Sequence, residues 1–344
     1  MPIRVVVVDD SALMRTLIAS LLNAQEDMVV VGQAVDPYEA RELIKATNPD
    51  VLTLDIEMPR MDGLTFLRNL MRLRPMPVVM VSTLTERGAE ATLQALALGA
   101  ADFVTKPTNP EADWDLVADE LVAKVRAVAT ARLQAGSEGN SAPVLSSYQG
   151  QGQSLIALGA STGGTEALAT VLQSFPEQAP PVVLAQHIPP VFSSSYAQRL
   201  NRTCTITVLE AEQDMPLQRG HAYLAPGDYH LQVVGQPNAW RCRIVQTERV
   251  NRHRPSVDVM FRSLLPWAKR VRAALLTGMG HDGAAGLLAL REAGAWTLAQ
   301  DQATSVVWGM PGSAVALGAA CVQRPLGRIA SALLDEHCPI EGAL

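Results

Sequence analysis

The stretch LIALGASTGGTEAL, residues 155–168, decides the fold of the second half of this 344-residue chain. Residues 155–158 form a short apolar run typical of a buried strand, and residues 165–174 have the apolar spacing of a helix. Between them, GASTG fits the pattern G-x-S-x-G, in which a serine sits on a sharp strand-to-helix turn. Small residues permit the turn, and amide groups at the start of the helix can stabilise an oxyanion. The stretch therefore predicts an exposed, nucleophilic Ser161.

The same turn also fits roles that involve no catalysis. Glycine-rich turns between a strand and a helix commonly cradle a phosphate group or let the two elements pack closely. A nucleotide-binding or otherwise non-catalytic output module therefore stays open as an alternative function of the second half. The lack of a P-loop lysine pattern and the balanced charge of this half count against that alternative.

Composition bounds the class of protein. A chain of 344 residues is long enough for two domains, each with its own core. Its apolar residues fall in short runs, without an 18-residue apolar segment or a basic-apolar leader, so we expect a cytoplasmic protein. The cysteines are far apart and form no C-x-x-C pair, which argues against a disulfide framework and a zinc site. They are Cys204, Cys242, Cys321 and Cys338.

The net charge of −6 lies entirely in the first part of the chain. Residues 1–133 carry 13 Lys and Arg against 19 Asp and Glu, and the remainder carries 15 of each. Neither part has the basic stripe that a nucleic-acid-binding protein needs, so no nucleic acid partner is expected.

Short apolar runs alternate with helical stretches through the first part. The alternation predicts a parallel sheet covered by helices on both faces, with ligands at the carboxyl ends of the strands. The predicted strands are residues 3–8, 29–31, 51–54, 78–81 and 101–104. Polar residues follow the strand ends at Asp9, Asp10, Asp55, Ser82 and Lys106.

Three of these residues, Asp9, Asp10 and Asp55, would repel one another at a common sheet edge unless a cation lay between them. Mg²⁺ with carboxylate and water ligands is the natural occupant. The metal and the Lys106 ammonium would neutralise phosphoryl oxygens, so Asp55 becomes a candidate nucleophile for phosphoryl transfer, and Ser82 can bond the attached group. The alternative is that single acids only cap the helices that follow them.

Four motifs in this part resemble the receiver domain of two-component response regulators. They are VDDS at 8–11, LDIEMPRMDG at 54–63, VS at 81–82 and TKP at 105–107. The resemblance covers roughly the first 130 residues. It implies a flavodoxin-like fold in which Asp55 is phosphorylated by a partner histidine kinase.

The resemblance also implies roles for the residues around Asp55. Mg²⁺ would be held by Asp10, Asp55 and the backbone carbonyl of Glu57, with Asp9 behind them. The switch residues would be Ser82, Phe103 and Lys106, and a cis peptide bond is expected before Pro107.

The composition changes after a last helical pattern at residues 117–133. Residues 134–153 are rich in Gln, Gly, Ser, Asn and Pro, which is typical of a flexible linker. We therefore predict a receiver domain at 1–133 and a hydrolytic domain at 154–344. Both are expected to be doubly wound α/β domains, the second with a mostly parallel sheet.

Two further strands of the second part lead into polar residues. Residues 182–185 precede His187, and residues 273–276 lead through a glycine-rich segment to Asp282. If these strands flank the strand before Ser161, one sheet edge holds all three side chains. A nucleophile, a general base and a carboxylate that orients the base are what serine-dependent hydrolysis requires.

Each of these residues has an ordinary structural alternative. His187 can be a satisfied core histidine, and Asp282 can be the N-cap of the helix predicted from about Ala284. His281, next to Asp282, is a rival base that is disfavoured only by its glycine-flanked loop. Three other histidines lie at no such strand end and are expected in surface or polar-loop positions, without metal-site spacing. They are His221, His230 and His253.

Five motifs of the second part resemble the chemotaxis protein-glutamate methylesterases. They are GASTGG at 159–164, QH at 186–187, NRHRPSVD at 251–258, TGMGHDG at 277–283 and GMP at 309–311. The order Ser, His, Asp differs from that of the α/β-hydrolases, so the G-x-S-x-G pattern alone would suggest the wrong fold. On this resemblance Ser161, His187 and Asp282 match the family's triad, and the backbone amides of Thr162 and Met279 help to hold the oxyanion.

The resemblance implies a phosphorylation-activated hydrolase that acts in chemotactic adaptation. Such an enzyme removes methyl groups from glutamate γ-methyl esters on the cytoplasmic helices of chemoreceptors, and it deamidates certain receptor glutamines. No cofactor is expected for the ester reaction, and the phosphodonor would be the chemotaxis histidine kinase. The unphosphorylated receiver is expected to cover the approach to the active site.

Overall fold

Two parallel sheets organise the chain, one in each of the units Met1–Glu138 and Gly139–Leu344. The structure is a computed structural model that describes residues 1–83, 85–107, 110–129, 154–237 and 239–335. The predicted linker at 134–153 and Cys338 lie outside the described residues.

The first unit alternates strands and helices as the sequence predicts. Its elements are β1 (Ile3–Val8), α1 (Ala12–Asn23), β2 (Met28–Ala34), α2 (Pro37–Thr47), β3 (Val51–Asp55), α3 (Gly63–Leu73), β4 (Val78–Ser82), α4 (Glu86–Ala97), β5 (Asp102–Thr105) and α5 (Pro110–Ala129). The sheet has the order β2-β1-β3-β4-β5 with parallel pairing throughout. This order is the flavodoxin-like one, and the predicted fold of the first unit is confirmed.

The helices of this unit begin at their own capping residues. Ser11 caps α1, Asp36 caps α2, Asp62 caps α3 and Thr85 caps α4, each through a side-chain oxygen that accepts a backbone N–H. The acids at the strand ends are therefore not the caps of these helices. Helix α5 begins at Pro110, seven residues earlier than its apolar pattern predicts, because proline is well tolerated in the first turn of a helix.

The second unit contains a larger sheet and a separate hairpin. Its elements are β6 (Leu155–Ala160), α6 (Gly164–Gln173), β7 (Val182–Gln186), α7 (Pro190–Thr203), β8 (Thr207–Glu210), β9 (His221–Leu224), β10 (His230–Val234), β11 (Arg241–Val245), α8 (Val257–Ser263), a 3₁₀ helix (Leu265–Arg270), β12 (Val271–Leu275), α9 (Ala284–Glu292), β13 (Trp296–Gln300), α10 (Met310–Ala316), β14 (Val322–Arg324) and α11 (Leu326–Leu334). The sheet order is β14-β13-β12-β6-β7-β9-β8, and every pairing in it is parallel.

Strand β6 lies at the point where the strand order reverses. The chain runs from β6 through β7 to one side of the sheet, then returns to place β12 on the other side of β6. In open α/β sheets, ligands bind outside the carboxyl ends of the strands at such a point. The condition on which the sequence prediction depended is therefore met, since the strands that precede Ser161, His187 and Asp282 are direct neighbours.

The core that supports this edge is apolar and continuous. Residues of β6, β7 and β12 pack with helices α8 and α9 in one buried cluster that includes Leu155, Val183, Val257, Leu275 and Leu287. Each of these side chains is fully buried. Close packing of this kind fixes the ends of the strands, and with them the polar residues that follow.

Candidate active site and receiver site

Ser161 lies on the turn between β6 and α6. Its backbone N–H donates to the carbonyl of Thr277 at 3.0 Å, and Gly164 N–H donates back to the Ser161 carbonyl at 2.7 Å. Gly163, the N-cap of α6, has φ of +73°, a conformation that favours glycine. A Cβ on Gly164 would lie 2.2 Å from Gln186 Oε1, so a side chain has no room there. The small residues of the sequence motif are thus required by the turn.

His187 links the serine to the carboxylate. Its Nδ1 is 3.1 Å from Ser161 Oγ, and its Nε2 is 2.9 Å from Asp282 Oδ2. With the Nε2 proton donated to Asp282, Nδ1 is left as the acceptor for the serine proton. In trypsin-like enzymes Nε2 of the histidine faces the serine and Nδ1 faces the aspartate. Here the two nitrogens are exchanged, but the ring still bonds to the serine on one side and to the aspartate on the other.

Asp282 is buried and accepts hydrogen bonds on both oxygens. Its donors besides His187 include Asn251 Nδ2 at 2.8 Å, Ser256 Oγ at 2.7 Å and Val257 N at 2.7 Å. Burial alone would raise the pKa of Asp282, but the hydrogen bond and the charge interaction with His187, with help from Asn251 and Ser256, hold that pKa well below its usual range. Asp282 is therefore an ionised acceptor throughout the neutral range.

The alternative that Asp282 caps helix α9 is wrong. Helix α9 begins after Gly283, which caps it without a side-chain bond. Asp282 accepts instead from Val257 N and Asp258 N, the first amides of α8. The carboxylate thus lies at the positive end of a helix, which stabilises its charge, although the helix is not the one that follows it in sequence.

The remaining described histidines fall in different places, and His221 is a partly exposed residue at the start of β9. His281 is exposed and takes no part in the chain from Ser161 to Asp282. His230 is fully buried, with Nε2 3.0 Å from the Glu248 carbonyl and Nδ1 accepting from Ser256 N at 3.1 Å. His253 stacks on the ring of His187, with centroids 3.6 Å apart and planes 11° apart. The prediction of surface or polar-loop positions is wrong for His230, and it missed the contact that His253 makes.

The turn that carries Met279 packs directly against the serine. A Cβ on Gly278 would lie 2.8 Å from Ser161 Cβ, and a Cβ on Gly309 would lie 2.6 Å from the Gly278 carbonyl. Thr277 Oγ1 donates to the Thr162 carbonyl at 2.9 Å, which ties the two turns together. The structure therefore joins the turn that carries Thr162 to the turn that carries Met279, and an oxyanion role for the two amides stays a prediction.

The strand ends of the first unit gather three carboxylates and one ammonium. Carboxylate oxygens of Asp9, Asp10 and Asp55 lie within 4.8 Å of one another. Lys106 Nζ is 2.8 Å from Asp55 Oδ2 and 2.9 Å from Asp9 Oδ2, and Asp10 is exposed. Burial raises the pKa of Asp55 to about 6, although Lys106 acts against this shift. The cluster has the oxygen ligands and the negative charge that suit a hard divalent cation.

Of the predicted switch residues, Lys106 contacts this cluster, and Ser82 and Phe103 are buried in the same unit. Ser82 is buried, and its hydroxyl is 3.4 Å from the Gly88 carbonyl. Phe103 is buried under Lys124, whose Nζ lies 5.1 Å from the ring centroid and 2.6 Å from the Phe103 carbonyl. The expected cis peptide bond before Pro107 is wrong: among the described residues the cis bond lies between Arg254 and Pro255. Lys106 reaches both carboxylates without it.

Within the described residues, every helix is either too short or not apolar enough to cross a membrane.

Two family models match the chain. One, described as CheB methylesterase, matches residues 156–333, and the other, described as response regulator receiver domain, matches residues 5–117.

Curated proteins resemble the chain over almost its full length. The protein-glutamate methylesterase/protein-glutamine glutaminase 1 of Xanthomonas euvesicatoria is 52% identical and aligns over 97% of both chains. The protein-glutamate methylesterase/protein-glutamine glutaminase of Shigella flexneri is 51% identical over 96% of both chains. Among solved structures, the catalytic domain of Thermotoga maritima CheB methylesterase is 34% identical, with a TM-score of 0.51, and aligns with 53% of this chain and 97% of that one.

Proposed function

Because the chain belongs to the CheB methylesterase family and carries a response regulator receiver domain, we propose that it hydrolyses glutamate γ-methyl esters with Ser161 as the nucleophile. One observation carries the assignment of residues. Ser161, His187 and Asp282 form one hydrogen-bonded chain at the carboxyl ends of three adjacent strands. Relatives that are about half identical to this chain are named both methylesterase and glutaminase. These names support hydrolysis of both esters and amides by this chain.

The proposed reaction starts with attack of Ser161 Oγ on the ester carbonyl. The serine proton passes to His187 Nδ1, and the imidazolium is stabilised by the ionised Asp282 on Nε2. Backbone amides of Thr162 and Met279 would receive the oxyanion. The tetrahedral adduct then expels methanol, which takes the proton back from His187 Nδ1 and leaves an acyl-serine.

Water completes the cycle in the same site. His187 removes a proton from the water, the hydroxide attacks the acyl-serine, and Ser161 Oγ leaves with that proton to give a free glutamate. When the substrate is a glutamine, ammonia leaves in place of methanol. Both reactions pass through the same oxyanion, so one arrangement of residues can run both.

For the receiver domain we propose phosphorylation of Asp55. Its position beside Asp9, Asp10 and Lys106 supports this assignment, because Lys106 can neutralise a phosphoryl oxygen. The oxygen donors fit Mg²⁺, with Asp10, Asp55 and the Glu57 carbonyl as ligands and Asp9 behind them; a bound Mg²⁺ would neutralise charge on the phosphoryl group. Ser82, Phe103 and Lys106 would then respond to the modified side chain.

The partners follow from the proposed reactions. The substrate would be the cytoplasmic helices of chemoreceptors, and the phosphodonor would be a histidine kinase of the same signalling system. Both partners would place the protein in the cytoplasm. The alternative of a nucleotide-binding output module has weaker support, because the Ser161 hydroxyl on the glycine-rich turn is already engaged by His187.

The proposal is tested by methanol release from methylated receptor membranes, with and without a small-molecule phosphodonor. Ser161→Ala removes only the nucleophilic oxygen, so turnover should fall by about 10⁴–10⁶-fold while the fold is kept. A fluorophosphonate probe should modify the wild-type enzyme at Ser161. Activity of the variant within tenfold of wild type would contradict the assignment, and protection of the enzyme by ATP would favour the nucleotide-binding alternative.

A further inference from the structure

A four-residue turn at 250–253 contacts two of the three residues proposed for hydrolysis. Val250 and His253 exchange backbone hydrogen bonds of 2.9 and 3.1 Å, which closes the turn. The two central residues, Asn251 and Arg252, have φ of +53° and +70°. Positive φ at both central positions defines a type I′ turn, which asparagine tolerates well and arginine rarely adopts. The backbone is therefore held in an uncommon shape beside the active site.

The first central residue, Asn251, places its amide group between two buried carboxylates. Nδ2 donates to Asp282 Oδ1 at 2.8 Å and to Asp258 Oδ2 at 2.8 Å. Asp258 is fixed in turn, because its Oδ1 accepts from Gly286 N at 2.6 Å, near the start of α9. The Asn251 amide can therefore take only one orientation, with both N–H groups directed to carboxylates. It holds Oδ1 of Asp282, which leaves Oδ2 directed to His187.

The last residue of the turn, His253, lies flat on the ring of His187. A centroid distance of 3.6 Å and an interplanar angle of 11° describe a parallel stack. In such a stack the nitrogens of one ring lie in a plane above the other ring, so they are in no position to bond the nitrogens of His187. The contact restricts rotation of the His187 ring about the bond that joins it to Cβ.

The turn itself is anchored on both sides. Arg254 donates to Asp228 Oδ1 at 2.7 and 3.0 Å and to the Thr247 carbonyl at 2.7 Å. On the other side, the buried His230 bridges the Glu248 carbonyl and Ser256 N. These contacts fix the segments before and after the turn, so the positions of Asn251 and His253 are set by the fold.

We propose that Asn251 and His253 are positioning residues of the hydrolytic reaction: the turn fixes the carboxylate and the imidazole of the Asp282–His187 pair at the same time. This inference rests on the proposed function. A general base must keep its nitrogens within about 10–20° of the productive direction, and a ring held at two nitrogens alone can still tilt. The stacked ring and the bridging amide restrict that tilt.

The experiment compares four variants of the full-length protein. His253→Ala removes the stack, and His253→Phe restores a flat ring without nitrogens. Asn251→Gly removes the side-chain amide but keeps a residue that adopts positive φ easily. The fourth variant combines His253→Ala with Asn251→Gly. Matched controls are His221→Ala and Asn201→Ala, which alter the same residue types at sites outside the proposed machinery. Each protein is assayed for kcat and KM on receptor methyl esters, for the rate of fluorophosphonate labelling at Ser161 and for its circular dichroism.

We expect His253→Ala and Asn251→Gly each to lower kcat by about 10–100-fold, with KM within about threefold and a parallel loss in labelling rate. His253→Phe should recover most of the kcat that alanine loses. The double variant should lose less than the product of the two single losses, because both act on one pair of residues. The controls should keep the wild-type kcat.

Three results would overturn the inference. Wild-type kcat in both single variants, with Ser161 still labelled, would refute positioning while the proposed function stands. His253→Phe as slow as His253→Ala would show that a ring nitrogen is needed, so that His253 acts by proton transfer and not by stacking. A wild-type enzyme that is not labelled at Ser161 would refute the proposed function, and this inference with it.

Discussion

The sequence alone leaves His187 and His281 as candidate bases for Ser161. The structure distinguishes between them. His187 is bonded to Ser161 and Asp282, whereas His281 is exposed. We expect His187→Ala to lose about as much turnover as Ser161→Ala, since nucleophile and base act as a unit. His281→Ala should keep turnover within a few-fold of wild type. Methanol release at saturating substrate measures both, and a dead His281→Ala with an active His187→Ala would contradict the assignment.

Asp55 allows a second prediction at the residue scale, on stability. Burial raises the pKa of Asp55 to about 6, compared with about 4 in an unfolded chain. The native state therefore holds the proton more tightly, and the receiver domain loses stability as the pH rises from about 4 to about 6, where the carboxyl ionises. Asp55→Asn should raise the free energy of unfolding by about 1–3 kcal/mol at pH 7, in a metal-free buffer, and by almost nothing below pH 4.

Hydrogen exchange of β3 and β4 peptides in the full chain measures this gain without interference from the other unit. Asp10→Asn is the matched control, because Asp10 is exposed and should give a smaller change. A variant that is less stable than wild type at pH 7, or a gain that persists at pH 4, would contradict the prediction.

At the residue scale, the sequence predicted that Ser161, His187 and Asp282 lie together, as they do, but not the contacts that Asn251 and His253 make with them. Ser161, His187 and Asp282 each follow an apolar strand, and that local signal is readable without a structure. Asn251 and His253 lie on a turn in which two residues, neither of them glycine, have positive φ. The common sequence motifs for such turns contain glycine, so they do not predict this one. Two signals were available: the NRHRPSVD motif at 251–258, which carries part of the family resemblance, and Asn251 itself, since asparagine favours such conformations.

At the element scale, the turn that carries Met279 depends on a glycine in a distant segment. A Cβ on Gly309 would lie 2.6 Å from the Gly278 carbonyl and 2.8 Å from Gly280 N. Gly309→Ala should therefore displace the 278–280 turn and its amide, and lower kcat by about 10²–10³-fold with little change in KM. Gly327→Ala in α11 is the control, because a Cβ there meets no atom within 4 Å.

Steady-state kinetics of the two glycine variants checks this prediction. Gly327→Ala should be neutral or slightly stabilising, since alanine favours a helix over glycine. Equal kinetics in the two variants would mean that the backbone at Met279 tolerates displacement and has no part in oxyanion binding.

Prediction of elements succeeded where apolar runs were long and failed where they were short or alternating. Strands β6 and β7 each begin with four consecutive apolar residues, and β12 ends in the apolar run AAL; all three were predicted to within two residues at each end. Strand β11 alternates with exposed Arg241 and Arg243, and the edge strand β14 has three residues, so neither stands out from loop sequence. Strands β8, β9, β10 and β13 were not predicted either. These omissions did not affect the predicted site, which depends on β6, β7 and β12.

At the scale of the whole molecule, the residues proposed for catalysis and the residue proposed for phosphorylation lie in different units. We expect Asp55→Asn to keep basal methyl ester hydrolysis and to lose all response to acetyl phosphate. A fragment that starts near Gln151 should also ignore the phosphodonor. If the receiver restrains the catalytic unit, as the family resemblance implies, the fragment should be faster than the unphosphorylated full chain.

One assay at equal molar enzyme compares the fragment, the full chain and Asp55→Asn. Activation of Asp55→Asn by acetyl phosphate would place the phosphoryl acceptor elsewhere. A folded fragment that is slower than the unphosphorylated full chain would show that the receiver assists catalysis.

The position of β12 beside β6 also sets the moment in synthesis at which the protein can become active. The ribosome delivers the serine and the histidine early, but strands β7 to β11 must follow before β12 emerges with the carboxylate behind it. Domains generally fold from the N-terminus during synthesis, so the receiver can be complete while the hydrolytic site still lacks its third member. We therefore expect a nascent chain to show no ester hydrolysis until the segment that carries Asp282 has left the ribosome and β12 has paired with β6.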